Sequence, residues 1–131
     1  MILLDTHAWV WWVSDPRALS RRARMRIDEA IESSGAYVSC ISAWEVTMLV
    51  SRDRLKLTMA VEEWIGRCEA LPQLKFVPVT NAIAVRSVRL PGSFHADPAD
   101  RIIVATALTL GATVITKDAR IRRYPHVQST W

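Results

Sequence analysis

The chain has 131 residues, 50% of them hydrophobic and 23% charged. That balance suits one globular domain, 1–131, with a core of its own, and excludes a linker-divided or low-complexity chain. Its longest early apolar run, Ala8 to Val13, is too short to span a bilayer, and Asp5 interrupts any signal-peptide core. A cytoplasmic protein with no membrane partner is therefore expected. The net charge of +4 comes from 17 Lys and Arg against 13 Asp and Glu. Cys40 and Cys68 stand apart, with neither C-x-x-C spacing nor clustered histidines, which excludes a zinc site or a disulfide framework and leaves them as small core residues.

In chain order, Ile2-Leu3-Leu4 reads as a central strand that ends at once in Asp5, Thr6 and His7. Asp5 or Thr6 can cap the next helix, Ala8 to Val13, whose Trp9, Trp12 and Val13 share the expected core face. Trp11 shares another face with His7, and an exposed Trp is costly unless a partner covers it. After the Asp15-Pro16 break, Arg17 to Ser33 reads as one long helix with Leu19, Ala23, Ile27 and Ile31 at intervals of four. Its other faces carry Arg17, Arg21, Arg22, Arg24 and Arg26, either a solvated surface or a binding one.

Ala36 to Cys40 is the second expected strand, followed by a helix from Ile41 to Val50. Ser42 and Glu45 have the spacing of a capping box, Ser-x-x-Glu. Against that reading, Glu45 has Ile41 and Leu49 four residues to either side, so its carboxylate projects from an inward stripe and needs a cation to meet it. A further helix with Val61, Trp64, Ile65, Cys68 and Leu71 on its apolar face comes next, then a third strand, Leu74 to Val79, and a helix, Asn81 to Leu90.

The stretch Phe94 to Asp118 concentrates the chemistry. Asp97 precedes Pro98 as an N-cap, and Asp100 falls in the first turn of an almost wholly apolar helix that Gly111 stops. The β-branched run Thr113 to Thr116 reads as a buried strand that delivers Lys117 and Asp118. Arg120, Arg122 and Arg123 follow, and Val127 to Trp131 is a possible edge strand. Alternating strands and helices predict an α/β three-layer sandwich with a mainly parallel central sheet.

Asp5, Glu45, Asp97, Asp100 and Asp118 thus come from four separate elements, and without them the chain is strongly basic. Carboxylates so crowded repel one another, and in the metal-free protein Asp5, Glu45, Asp100 and Asp118 are all expected to have raised pKa values. An all-oxygen set selects Mg²⁺ or Mn²⁺ over zinc. Such an ion can activate water and stabilise the leaving oxygen of a phosphodiester. A basic shell suits a polyanionic substrate.

The segments ILLDTHAWVWW, SAWEV, HADPADRIIVATA, VITKD and RIRRYPHV together resemble the PIN-domain ribonucleases, most closely the VapC-type toxins of toxin-antitoxin pairs. By that resemblance, Asp5, Glu45, Asp100 and Asp118 match the acidic quartet. Asp97 matches an additional acid, and Thr116 a hydroxyl residue beside the last one. His7 stands where many relatives have Asn, so its role stays open. The resemblance implies a Mg²⁺-dependent endoribonuclease that cuts RNA, forms homodimers and is neutralised by a small antitoxin. Trp11, Arg17 and Arg21 are the expected antitoxin contacts. Thr6, His7, His95 and Thr116 are accessory candidates, with His7 and His95 either touching substrate or fixing a carboxylate.

Two other readings fit the residues less well. A receiver-like phosphoacceptor also gathers aspartates and a lysine at strand ends, but it leaves Glu45 and the Asp97/Asp100 pair without a role. A catalytically silent PIN module acting in RNA or protein binding is expected to have lost acids that are all present here.

Overall fold

A computed structural model of the chain describes residues 1–131. Five parallel strands lie in the order β3-β2-β1-β4-β5, with β1 at Ile2–Leu4, β2 at Ala36–Ser39, β3 at Leu74–Val77, β4 at Thr113–Ile115 and β5 at Ser129–Thr130. Seven α-helices flank the sheet: α1 Thr6–Ser14, α2 Arg21–Glu32, α3 Ile41–Ser51, α4 Val61–Glu69, α5 Asn81–Val88, α6 Pro98–Leu110 and α7 Ala119–Arg122. The expected α/β sandwich with a parallel central sheet is the observed architecture. None of its helices is long and apolar enough to cross a membrane.

Strand alternation divides the core in two. Ile2, Leu4, Ala36, Val38 and Ile115 face one side, where Trp9, Ile27, Val46 and Trp64 cover them. Leu3 and Val114 face the other, against Ile83, Ile103, Val104 and Ile121. Leu3 pairs with Tyr37 and Val114, so the period-two pattern of each strand stays in phase across the sheet. Ile103 is 1% exposed, and truncating such a residue to Ala leaves a cavity that costs about 2–5 kcal/mol.

Several boundaries differ from the sequence reading. The long helix expected from Arg17 starts instead at Arg21, because Ser20 accepts from the Ala23 amide as a side-chain cap and Pro16–Ala18 winds into a separate 3-10 turn. Val13 is exposed rather than core, while Trp9 is fully buried and Trp12 half-buried. Ser42 is not an N-cap: Cys40 holds that position without a side-chain bond, and Ser42 lies buried inside α3. β3 ends at Val77, β4 at Ile115, and the residues after Asp118 form a short helix, α7, that the sequence pattern does not announce. The expected edge strand shrinks to Ser129–Thr130. Cys68 is buried and Cys40 half-buried, both as free thiols.

In a parallel sheet all strands run out at one edge, and ligands bind beyond that edge. Asp5 follows β1, Asp118 lies just past β4, and α3 carrying Glu45 begins directly after β2. Gly111 ends α6 at φ 67°, a left-handed conformation that glycine adopts without strain, and turns the chain straight into β4.

Candidate active site

Asp5, Glu45, Asp97, Asp100 and Asp118 line one cavity of about 530 Å³ together with Thr6, His7, Trp11, Lys117 and Arg120. Elements separated by more than a hundred positions in sequence meet there, and all five acids read from the sequence are among them. Three of them, Asp5, Asp97 and Asp118, are helix N-caps.

Asp5 caps α1: its Oδ1 accepts from the Ala8 amide at 2.8 Å, and its Oδ2 accepts from the Thr116 hydroxyl. Thr116 in turn accepts from the Asp118 amide at 3.0 Å, so one hydroxyl ties the ends of β1 and β4 together. The Asp5 backbone amide completes the tie by donating to Ile115 O at 3.1 Å. Glu45 accepts from the Thr6 hydroxyl, and Thr6 Oγ1 lies 2.9 Å from Ser42 Oγ. The capping-box reading of Ser42 and Glu45 therefore fails. Both residues serve a cross-element contact with α1, and Glu45 points inward as its apolar neighbours require.

Asp97 is the N-cap of α6, with Oδ1 accepting from the Asp100 amide at 3.0 Å. Asp118 caps α7 by accepting from the Arg120 amide at 2.7 Å, and its other oxygen pairs with the Arg120 guanidinium at 3.0 Å. The same guanidinium reaches Asp100 at 3.6 Å. His95 Nε2 lies 3.0 Å from Asp100 Oδ2 but out of line for a hydrogen bond, so that buried nitrogen has no partner. Arg101 holds the loop that carries His95 by donating to the carbonyl oxygens of Ser87, Phe94, His95 and Val88.

Burial raises the carboxyl pKa of Asp5, against the bonds from Thr116 and Ala8, and that of Glu45, against the bond from Thr6. Asp100 is pushed up to about 7, first by burial and then by Asp97, Asp118 and Glu45. Asp118 goes the other way: burial would raise it, but the side-chain and backbone bonds of Arg120, with the guanidinium charge, hold it below its ordinary value. The expectation of four raised carboxyls is met by three. Desolvation outweighs mutual repulsion in each of those three. Burial and then Arg120 lower the pKa of His95, which favours its neutral form.

As they stand, no three His, Cys, Asp or Glu side chains converge to hold a metal ion. The carboxylates are turned to Thr116, Thr6 and Arg120 instead. Their chemistry nonetheless fits a hard divalent cation, since the acids offer oxygen donors with a large excess of negative charge. Arg120 already stands as a positive charge between two of them.

Trp11 is half-buried rather than free. Its ring centroid lies 5.6 Å from that of His7 and 5.7 Å from that of Trp131, and Lys117 Nζ sits 5.9 Å above it. Arg17 and Arg21 are exposed and line no part of the acidic cavity; Arg17 lies 3.9 Å from Asp15. The most exposed Trp is Trp44 at 57%, two residues from buried Val46 and so on the opposite side of α3. The helical offset between Trp44 and Val46 could have revealed that. The roles of Arg120 and Arg101 carry no signal in the sequence beyond their proximity to Asp118 and Asp100.

A family model described as the PIN domain matches residues 2–127. The chain belongs to the PIN-domain family. It is 36% identical over 132 residues to a Mycobacterium tuberculosis protein named Ribonuclease VapC22, an alignment spanning 99% of this chain and 98% of that one. Solved structures share the PIN fold at lower identity. A toxin-antitoxin complex from Klebsiella pneumoniae superposes with a TM-score of 0.62 at 24% identity, covering 97% of this chain and 95% of the other. FitAcB from Neisseria gonorrhoeae superposes with a TM-score of 0.68 at 22% identity, covering 100% and 97%. The VapC-type resemblance of the sequence motifs thus extends along the whole of this PIN domain.

Proposed function

We propose that this PIN domain is the endoribonuclease toxin of a VapBC-type toxin-antitoxin pair, a hydrolase of RNA phosphodiester bonds that depends on Mg²⁺ or Mn²⁺. The observation that carries the reading is the meeting of five carboxylates from four elements in one cavity, in a chain so close along its length to a named ribonuclease. In this reading Asp5, Glu45, Asp100 and Asp118 hold the ion, with Asp97 beside them. When bound, the ion supplies charge neutralisation at the phosphodiester and a lowered pKa for the attacking water.

The chain's own residues prepare that chemistry. Thr116 orients Asp5 and the start of the Asp118 turn, and Thr6 orients Glu45. Arg101 fixes the loop beside Asp100, and His95 Nδ1 accepts from the Asp97 amide. Lys117, His7 and Trp11 offer a cation and two rings at the mouth, where an RNA strand enters. Arg120, once off the carboxylates, is a cation of the cavity lining that can meet a phosphate oxygen.

Purified protein should cleave single-stranded or looped RNA with Mg²⁺ and not in EDTA. Asp100→Asn should lower the rate at least about a hundredfold, a loss of about 2.7 kcal/mol in transition-state stabilisation. Full cleavage in EDTA would remove the reading. A small antitoxin covering the mouth, in contact with Trp11 and the exposed Arg17 and Arg21, and assembly as a homodimer belong to the same proposal. Buried Trp contacts at interface centres are worth about 2 kcal/mol. Trp11→Ala should therefore weaken antitoxin binding by about thirtyfold in a titration; unchanged affinity would put that interface elsewhere.

A further inference from the structure

Beside the acidic cavity the molecule has a second concentration of charge, of opposite sign. A cavity of about 450 Å³ is lined by Arg22 of α2, Arg122 and Arg123 at the end of α7, and Ser129, Thr130 and Trp131 of the C-terminal strand and its end. No Asp or Glu side chain lines it, and none of its three arginines takes part in a side-chain ion pair. Arginines gathered without a carboxylate repel one another until an anion joins them, and each planar guanidinium presents paired donors that match phosphate oxygens. Arg22 also lies in the first turn of α2, where the helix dipole adds positive charge.

Its position matters as much as its charge. β5 runs parallel beside β4, so Trp131 emerges at the same sheet edge as Asp118. Helix α7 has Asp118 as its cap at one end and Arg122 and Arg123 at the other. It is four residues long, about 6 Å. The Trp131 and Trp11 rings approach with centroids 5.7 Å apart, and Trp11 lines the acidic cavity. An aromatic pair thus bridges the two pockets. Aromatic faces beside a cationic groove are the usual platform for single-stranded nucleic acid.

We propose that the Arg22/Arg122/Arg123 cavity is a phosphate subsite for the RNA strand whose scissile bond lies at the acidic cavity, with Trp131 and Trp11 as the surface the intervening nucleotide crosses. The proposal rests on the ribonuclease reading and names where the substrate backbone is held. An acidic peptide would satisfy the arginines but would leave the rings without a stacking partner, so RNA is the better match.

The test measures anisotropy of a fluorescein-labelled, mixed-sequence single-stranded oligoribonucleotide with the intact protein in EDTA, across a range of salt. Arg122→Ala with Arg123→Ala should bind at least about tenfold more weakly than wild type, and the slope of log affinity against log salt should become shallower by about 0.7 for one lost phosphate contact. Trp131→Ala should also weaken binding by about tenfold. Arg54→Ala, at an exposed turn outside both cavities, should change little. Melting curves confirm that each variant is folded, and Arg22→Ala replaces the double variant if that one is not. Wild-type affinity in the arginine variants overturns the subsite while leaving the ribonuclease reading intact. An equal loss in Arg54→Ala overturns it in favour of diffuse charge. Unchanged RNA binding with weakened binding of an acidic antitoxin peptide assigns the cavity to a protein partner instead. If wild type neither binds RNA in EDTA nor cleaves it with Mg²⁺, the ribonuclease reading itself fails.

Discussion

The two halves of the acidic cavity satisfy their carboxylates in different ways. On the side of α1 and α3, Asp5 and Glu45 are met by neutral hydroxyls, Thr116 and Thr6, and by a backbone amide. On the side of α6 and α7, Asp100 and Asp118 are met by a cation, Arg120. Hydroxyls orient a carboxylate but leave its charge uncompensated, whereas a guanidinium compensates charge and competes with any other cation. The first half orients its carboxylates without a cation; the second already holds one. In the proposed reading a divalent ion would meet Asp5 and Glu45 free of a competing cation and would have to displace Arg120 from Asp100 and Asp118.

The largest effect that could break this contrast is pH dependence in metal-free protein. Asp100 has its folded pKa raised to about 7 from an ordinary 3.8. A carboxyl raised in this way favours the folded state most below its ordinary value, and that contribution is lost as pH rises through the folded value. Stability should therefore fall between pH about 4 and about 7, by as much as about 4 kcal/mol if Asp100 alone set it. Asp5 and Glu45, also raised, act in the same direction. Asp118 is lowered and acts oppositely, its contribution being lost only below its ordinary value. Urea unfolding in EDTA should show the fall, and Asp100→Asn should flatten it and melt higher than wild type at neutral pH. An Asp100→Asn protein that melts lower would make Asp100 a structural element of α6 and not a strained ligand.

A smaller effect sharpens the hydroxyl half. Thr116→Val keeps the shape but leaves Asp5 Oδ2 without its donor and the Asp118 amide without its acceptor. Leaving buried polar groups unpaired costs about 1–3 kcal/mol. Thermal unfolding should report that loss, and with it weaker Mg²⁺ binding; a variant as stable as wild type would mean that water replaces the hydroxyl. The smallest effect concerns the cation half. Arg120 is largely exposed, with a side-chain exposure of 60%, and exposed pairs are worth about 0–1 kcal/mol. Arg120→Gln should thus barely change stability in EDTA, yet should tighten Mg²⁺ binding by up to about fivefold in a calorimetric titration. Weaker binding would show that Arg120 supports the site.

Much of this was legible in the sequence for a definable reason. Strand ends such as Leu4-Asp5 and the Asp97-Pro98 cap are local signals, and the parallel topology then carries their acids to a common edge. What the sequence concealed depends on contacts between distant elements. Ser42 and Glu45 have a capping-box spacing, but tertiary contact with Thr6 overrides it. Trp11 looked exposed because Trp131, 120 positions later, is its neighbour only in the folded sheet. The lowered Asp118 requires α7, a helix too short to announce itself by periodicity. Arg17, Arg21, Arg22, Arg24 and Arg26 read as one arginine-rich run, solvated or binding, and of them only Arg22 lines a charged cavity.

In the proposed site both halves of the cavity would close on a divalent ion in place of Arg120. A crystal soaked in Mn²⁺, measured at the manganese absorption edge, tests it most directly. An anomalous peak among Asp5, Glu45, Asp100 and Asp118 is expected, with the Arg120 guanidinium moved away from Asp100. Manganese bound only elsewhere, with Arg120 still seated between Asp100 and Asp118, would contradict it.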